Sequence, residues 1–127
     1  MASEKISILV VDHNSMLREG LCLLINLEPD MQVVAEAAFA DQAVQCFIQH
    51  QPNVALIDLD LPRADGIRAI REIRMIDPTA CLFGLFTYES DESSSEALRA
   101  GARKCLAKDH LNHHLISSIR ESRHRQQ

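Results

Sequence analysis

Val54-Ala55-Leu56-Ile57-Asp58-Leu59-Asp60-Leu61-Pro62 runs from four apolar residues into two acids and a proline. Four consecutive apolar side chains leave no polar face, as a strand covered on both sides of a sheet requires. The acids stand at its carboxyl end, and Pro62 with Asp65-Gly66 marks the turn that follows. Ile6-Ser7-Ile8-Leu9-Val10-Val11 and Cys81-Leu82-Phe83-Gly84-Leu85-Phe86 read in the same way, as central parallel strands. Residues 32–37 and Lys104–Ala107 are weaker runs that fit strands nearer an edge.

Between these runs the apolar residues change to helical spacing. Leu17, Leu21 and Leu24 predict a first amphipathic helix, and Val44, Phe47 and Ile48 a second. A third rests on Ile67, Ile70 and Ile73, and a last one on Leu111, Leu115 and Ile119. A further helix over Asp91–Ala100 has only Ala97 and Leu98 as anchors and is expected to pack least firmly, with Gly101 closing it. Strand and helix thus alternate five times. That alternation predicts a doubly wound α/β fold around a parallel sheet, as one domain over residues 1–127 with a polar, fraying tail at 121–127.

Bulk properties exclude several classes. A formal charge of −5 and the absence of any Lys/Arg run leave no basic footprint for direct nucleic-acid binding. No apolar stretch approaches the roughly 20 residues of a membrane helix, and the N-terminus lacks a signal core, so the chain is expected to be cytoplasmic. Cys22, Cys46, Cys81 and Cys105 sit in apolar runs without a CxxC pair and read as small core residues, as do Met16, Met31 and Met75. His110, His113 and His114 read as a solvated helix start.

In an open parallel sheet, ligands bind beyond the carboxyl ends of the strands. Asp12-His13, Asp58-Leu59-Asp60, Thr87-Tyr88 and Lys108-Asp109 stand at four such ends. Carboxylates gathered in one pocket repel unless a cation intervenes, here Lys108 or a hard divalent metal such as Mg²⁺. A carboxylate held in this way can act as a nucleophile toward a phosphoryl group, whose transfer needs positioning and neutralisation of its oxygens.

These residues closely resemble those of response-regulator receiver domains, from Ile6 to about Arg120. Asp12 resembles the first acid of the family's acidic pair, Asp58-Leu59-Asp60-Leu61-Pro62 its acceptor loop, Thr87 its switch hydroxyl, and Ala100-Gly101-Ala102 leading to Lys108 its lysine segment. The resemblance implies a flavodoxin-like five-stranded sheet of order 2-1-3-4-5 with five helices. It implies Asp58 as phosphoacceptor, with Thr87 and Lys108 gripping the phosphoryl group and Mg²⁺ held by Asp12, Asp58 and the backbone carbonyl of Asp60. A histidine kinase or phosphotransfer protein would be the donor. Leu17-Arg18-Glu19-Gly20-Leu21 and Lys108-Asp109 resemble the LuxR/NarL/FixJ-type subfamily, which implies output through a downstream protein or a C-terminal DNA-binding domain, while the resemblance to receiver domains at large allows a homodimer through helix four to helix five or helix one to helix five faces.

Three positions depart from the family pattern. His13 replaces a second metal-binding acid and is expected to weaken the Mg²⁺ site. Cys105 stands where the family has an aromatic indicator of activation, and Tyr88 follows the switch hydroxyl where a small residue is usual. They motivate an alternative, a degenerate receiver acting as a phosphorylation-independent interaction module. A further alternative is an aspartyl-phosphate hydrolase, since Asp58-Leu59-Asp60 also resembles the DxD motif of haloacid-dehalogenase-type phosphatases, although there the motif closes the first strand.

Overall fold

The computed structural model describes residues 4–87 and 91–125, with side chains except those of 91, 110–113 and 123–125. The order is β1 (Ile6–Val11), α1 (Ser15–Asn26), β2 (Met31–Ala37), α2 (Ala40–His50), β3 (Val54–Asp58), α3 (Asp65–Ile76), β4 (Cys81–Phe86), α4 (Asp91–Ala100), β5 (Lys104–Ala107) and α5 (Leu111–Arg125). All five strands are parallel and lie in the order β2-β1-β3-β4-β5, as expected. Strand order reverses between β1 and β3, which opens a crevice at their carboxyl ends.

Alternation along the strands divides the apolar residues between two cores. Ile8, Val10, Leu56 and Phe83 pack with Leu21 and Ile25 of α1 and Leu115 and Ile119 of α5. Leu9, Val11, Ile57 and Leu82 face the other way, onto Phe47 of α2, Ile70 and Ile73 of α3 and Ala97 of α4. Each wholly buried Ile, Leu or Phe contributes about 1.5–3 kcal/mol of transfer free energy. The sheet is therefore covered on both faces, which explains the continuous apolar runs.

Local chemistry sets the helix ends. Asn14 precedes α1, and its side-chain oxygen accepts from the Leu17 N–H at 3.1 Å, satisfying one of the donors a helix start leaves open. Gly101 closes α4 at φ 129°, a backbone region that L side chains rarely adopt. Gly66 has a different reason to be glycine. It lies inside α3 with an ordinary φ, but a Cβ there would sit 2.2 Å from the carbonyl oxygen of Asp58.

Several residues read from the sequence as core lie outside it. Met16 and Met75 are 81% and 80% exposed and do not fill a core, whereas Met31 is buried. Ile48 and Leu98 are about half exposed, because α2 and α4 present narrower apolar stripes than their sequences suggest, with Ala43, Phe47 and Ala97 carrying the contacts. Cys22 and Cys81 are buried, but Cys46 and Cys105 are only partly so. Burial pushes the Cys22 thiol up to about 11. At the C-terminus α5 runs on to Arg125, and Ser122, read as part of a polar tail, is buried and donates to the Ile119 carbonyl at 2.6 Å. The side chains of His110 and His113 lie outside the described residues, and among the described residues no helix is long and apolar enough to cross a membrane.

Candidate functional site

Strand register brings the chemistry together. Val11 pairs with Ile57, so the next residues, Asp12 and Asp58, emerge side by side. Phe86 pairs with Ala107, so Thr87 and Lys108 emerge side by side one strand pair away. Asp58 pairs with Leu85 on β4, which joins the two halves of the rim.

Asp12 and Asp58 are wholly buried. Lys108, whose side chain is 10% exposed, places Nζ 2.7 Å from Asp58 Oδ1, 3.5 Å from Asp12 Oδ2 and 3.3 Å from Asp60 Oδ2. One ammonium thus serves three carboxylates. Asp58 Oδ1 also accepts from the Asp60 N–H at 2.8 Å. Asp12 Oδ1 accepts from the Asn14 N–H at 2.9 Å, while its Oδ2 has no hydrogen-bond partner.

The two buried acids diverge in acidity. Burial, reinforced by the neighbouring Asp58 charge, raises Asp12 above the ordinary carboxylate range, and the Asn14 N–H and Lys108 only partly offset it. Burial pushes Asp58 in the same direction, but hydrogen bonds from Lys108, the Asp60 N–H and His13 outweigh it and leave Asp58 below the ordinary range. Lys108 would be lowered by burial, yet its hydrogen bond to Asp58 and the surrounding acids raise it. The rim therefore holds an ionised Asp58 beside a charged Lys108, the pairing that a carboxylate nucleophile requires.

His13 is no bystander. Its Nδ1 lies 2.7 Å from Asp58 Oδ2, and Asp12, His13 and Asp58 each offer a donor atom within 4.8 Å of the others. Thr87 is exposed at the end of β4, and its hydroxyl and N–H donate not to Asp58 but to Asp60 Oδ2, at 2.6 and 2.9 Å. Sequence reasoning used only the carbonyl of Asp60 and overlooked its side chain. The one available signal was an acid two residues past the central one, at the same end of β3; its direction was not readable before Thr87 and Lys108 were placed. Gly66 was read as a turn marker, but its role is to let α3 start against the Asp58 carbonyl. Cys105 Sγ lies 4.0 Å from the Ser94 carbonyl, between β5 and α4, and Tyr88 lies outside the described residues.

Residues 8–120 match the response regulator receiver domain family. The chain is 35% identical over 120 residues to an uncharacterized transcriptional regulatory protein, YxjL, of Bacillus subtilis, covering 94% of this chain and 55% of that one. It is 38% identical over 104 residues to a protein-glutamate methylesterase/protein-glutamine glutaminase of Shewanella frigidimarina, covering 81% and 26%. The chain thus spans about half, or about a quarter, of the length of these relatives. Among solved structures it resembles a LuxR-family two-component response regulator from an Aurantimonas species, with a TM-score of 0.87 and 31% identity over 93% of this chain and 84% of that one. It is similarly close to the response regulator domain of Thermotoga maritima CheB, with a TM-score of 0.86 and 29% identity over 94% and 96%. From the crevice between β1 and β3 to the match across its length, the chain belongs to the response regulator receiver domain family, the phosphorylation-controlled signalling module of two-component systems.

Proposed function

We propose that Asp58 of this chain accepts a phosphoryl group from a phosphohistidine of a histidine kinase or phosphotransfer protein. The observation that carries this reading is the 2.7 Å pair between Lys108 Nζ and a wholly buried Asp58 whose acidity keeps it ionised. In the transfer an Asp58 oxygen forms the new O–P bond as the donor's N–P bond breaks, and the electron pair returns to the imidazole nitrogen. Lys108 neutralises the incoming oxygens and Thr87 supplies a hydroxyl for them. The phosphoryl group then shifts the loop after β4 and the α4-β5-α5 face. The chain acts on itself and turns over no separate substrate.

The donors present fit a divalent cation. Asp12 Oδ2 is buried without a hydrogen bond, facing a cluster in which Asp12, His13 and Asp58 can each give one ligand atom. Asp12, Asp58 and the Asp60 carbonyl would hold Mg²⁺, which supplies charge neutralisation for transfer. His13 offers nitrogen where Mg²⁺ favours oxygen, and its hydrogen bond to Asp58 Oδ2 competes for a ligand atom, so affinity is reduced.

Output passes to a downstream protein or to a C-terminal DNA-binding domain of the kind carried by transcriptional regulators. A second copy is a further partner, through the face where Met16 and Leu23 of α1 and the following Leu27 are exposed. The cytoplasm suits such partners. Mass spectrometry after treatment with acetyl phosphate and Mg²⁺ tests the acceptor: a phosphoryl adduct on Asp58, lost in Asp58→Asn, is expected, and its absence in the wild type overturns the reading. In that event the His13–Asp58 hydrogen bond favours a phosphorylation-independent interaction module.

A further inference from the structure

The side chain of Asp60 has no part in the transfer just described, yet it makes the contacts that a phosphoryl group would need. Its Oδ2 accepts from the Thr87 hydroxyl at 2.6 Å and from the Thr87 N–H at 2.9 Å, and lies 3.3 Å from Lys108 Nζ. A hydroxyl, a backbone N–H and an ammonium converging on one anionic oxygen form a cradle for a phosphoryl oxygen. Lys108 at the same time donates to Asp58 Oδ1 at 2.7 Å, which ties the cradle to the acceptor.

We propose that the Asp60 carboxylate is an internal stand-in for a phosphoryl oxygen, holding Thr87 and Lys108 in the resting chain in the seat that a phosphoryl group on Asp58 must take. This rests on Asp58 being the acceptor. Two consequences follow from charge and geometry. A phosphoryl group, carrying about −1.5 to −2 charge, must displace a carboxylate of like sign, so loading is opposed. Thr87 is already turned to the rim, so loading exchanges one anion for another on its hydroxyl and N–H. The Asp60 side chain is 38% exposed, which gives the displaced carboxylate a path into water.

Beryllium trifluoride, which attaches to a carboxylate oxygen as a phosphoryl mimic, serves as the probe, with saturating Mg²⁺. Its affinity and the ¹⁵N–¹H shift of the Thr87 amide are measured for the wild type, Asp60→Asn and Asp60→Ala. Asp60→Asn removes the charge but keeps an acceptor for Thr87. It is expected to bind the anion about tenfold more tightly, as removal of a close like charge at a partly exposed rim implies, with the unliganded Thr87 amide near its wild-type position. Asp60→Ala removes both, and should show the same gain in affinity together with a displaced unliganded amide that returns on binding. Equal affinities within twofold, or an amide unmoved in Asp60→Ala, overturn the proposal while the acceptor reading stands. Absence of binding in all three forms overturns both. Binding by the variants alone supports the stand-in outright. Because Asp60 is partly exposed, both variants should fold, and their dispersed spectra verify this directly.

Discussion

Replacing Lys108 with methionine keeps the length of the side chain and deletes the one lysine or arginine side chain that pairs with both buried carboxylates among the described residues. The magnitude follows from the site. At an effective dielectric of about 20, unit charges at the observed 2.7, 3.3 and 3.5 Å attract by roughly 5–6 kcal/mol each. Much of that is offset by the cost of desolvating the ammonium, and removal of one partner from a buried pair costs about 3–5 kcal/mol in total. The variant has one escape, which is to bind a proton. With Lys108 gone, Asp12, already raised by burial, loses one of the contacts that offset it, and stability gained by its protonation is present below that raised value and lost as pH rises through it. In the wild type, Asp58 is lowered, so its contribution is present above the ordinary carboxylate range and lost as pH falls through its own value. Lys108 is raised, so its contribution persists across neutral pH and fades only in strong alkali. Urea unfolding followed by far-ultraviolet circular dichroism, without metal, at pH 5, 6, 7 and 8 separates the two forms. With a slope of about 2 kcal/mol per molar urea, the midpoint of Lys108→Met should fall by about 1.5–2.5 M at pH 8 and by half of that or less at pH 5. Lys104→Met, whose ammonium is 42% exposed and 3.9 Å from Glu121, is the control and should shift by less than about 0.3 M. A fall below about 0.5 M at pH 8, or a loss independent of pH, refutes the account of one ammonium balancing the buried acids.

Asp12→Asn removes a buried charge, one of whose oxygens accepts no hydrogen bond, and gives Asp58 a neutral amide neighbour; it should raise the melting temperature by about 3–6 °C, read by calorimetry without metal. Gly66→Ala forces a Cβ to within 2.2 Å of the Asp58 carbonyl oxygen, where only backbone can yield, and should cost about 2–3 kcal/mol of stability in urea titrations while slowing adduct formation at Asp58. His13→Asp replaces nitrogen with oxygen and removes the hydrogen bond to Asp58 Oδ2. Titration calorimetry should show Mg²⁺ binding strengthened by about tenfold or more, and unchanged affinity would show that His13 does not set it.

Much of the fold was legible because covered strands cannot hide: a parallel sheet with helices on both sides needs unbroken apolar runs, and β1, β3 and β4 display them. The rim was legible for the same reason, since the residue that ends such a run stands where ligands bind. Less could be read where packing alone decides. Ile48 and Leu98 obey helical spacing yet stay exposed, because spacing gives a face and not its width, and Met16 and Met75, read as core from residue type, lie off the apolar faces. The Asp60 carboxylate and the aim of His13 were hidden too, since a short polar side chain in a turn can point several ways until its neighbours are placed. Resemblance to the family supplied the pattern from which His13 departs, but not the hydrogen bond that His13 makes.

The alternation of β4 has a further consequence for how this chain tolerates change. Leu82 and Phe83 are adjacent in sequence but serve opposite cores, so the sheet is a partition between two apolar compartments. Substitutions in different compartments share no partners and should combine additively. Either outer layer can therefore drift, or be redesigned to present a new surface, while the opposite layer and the acidic rim keep their registry.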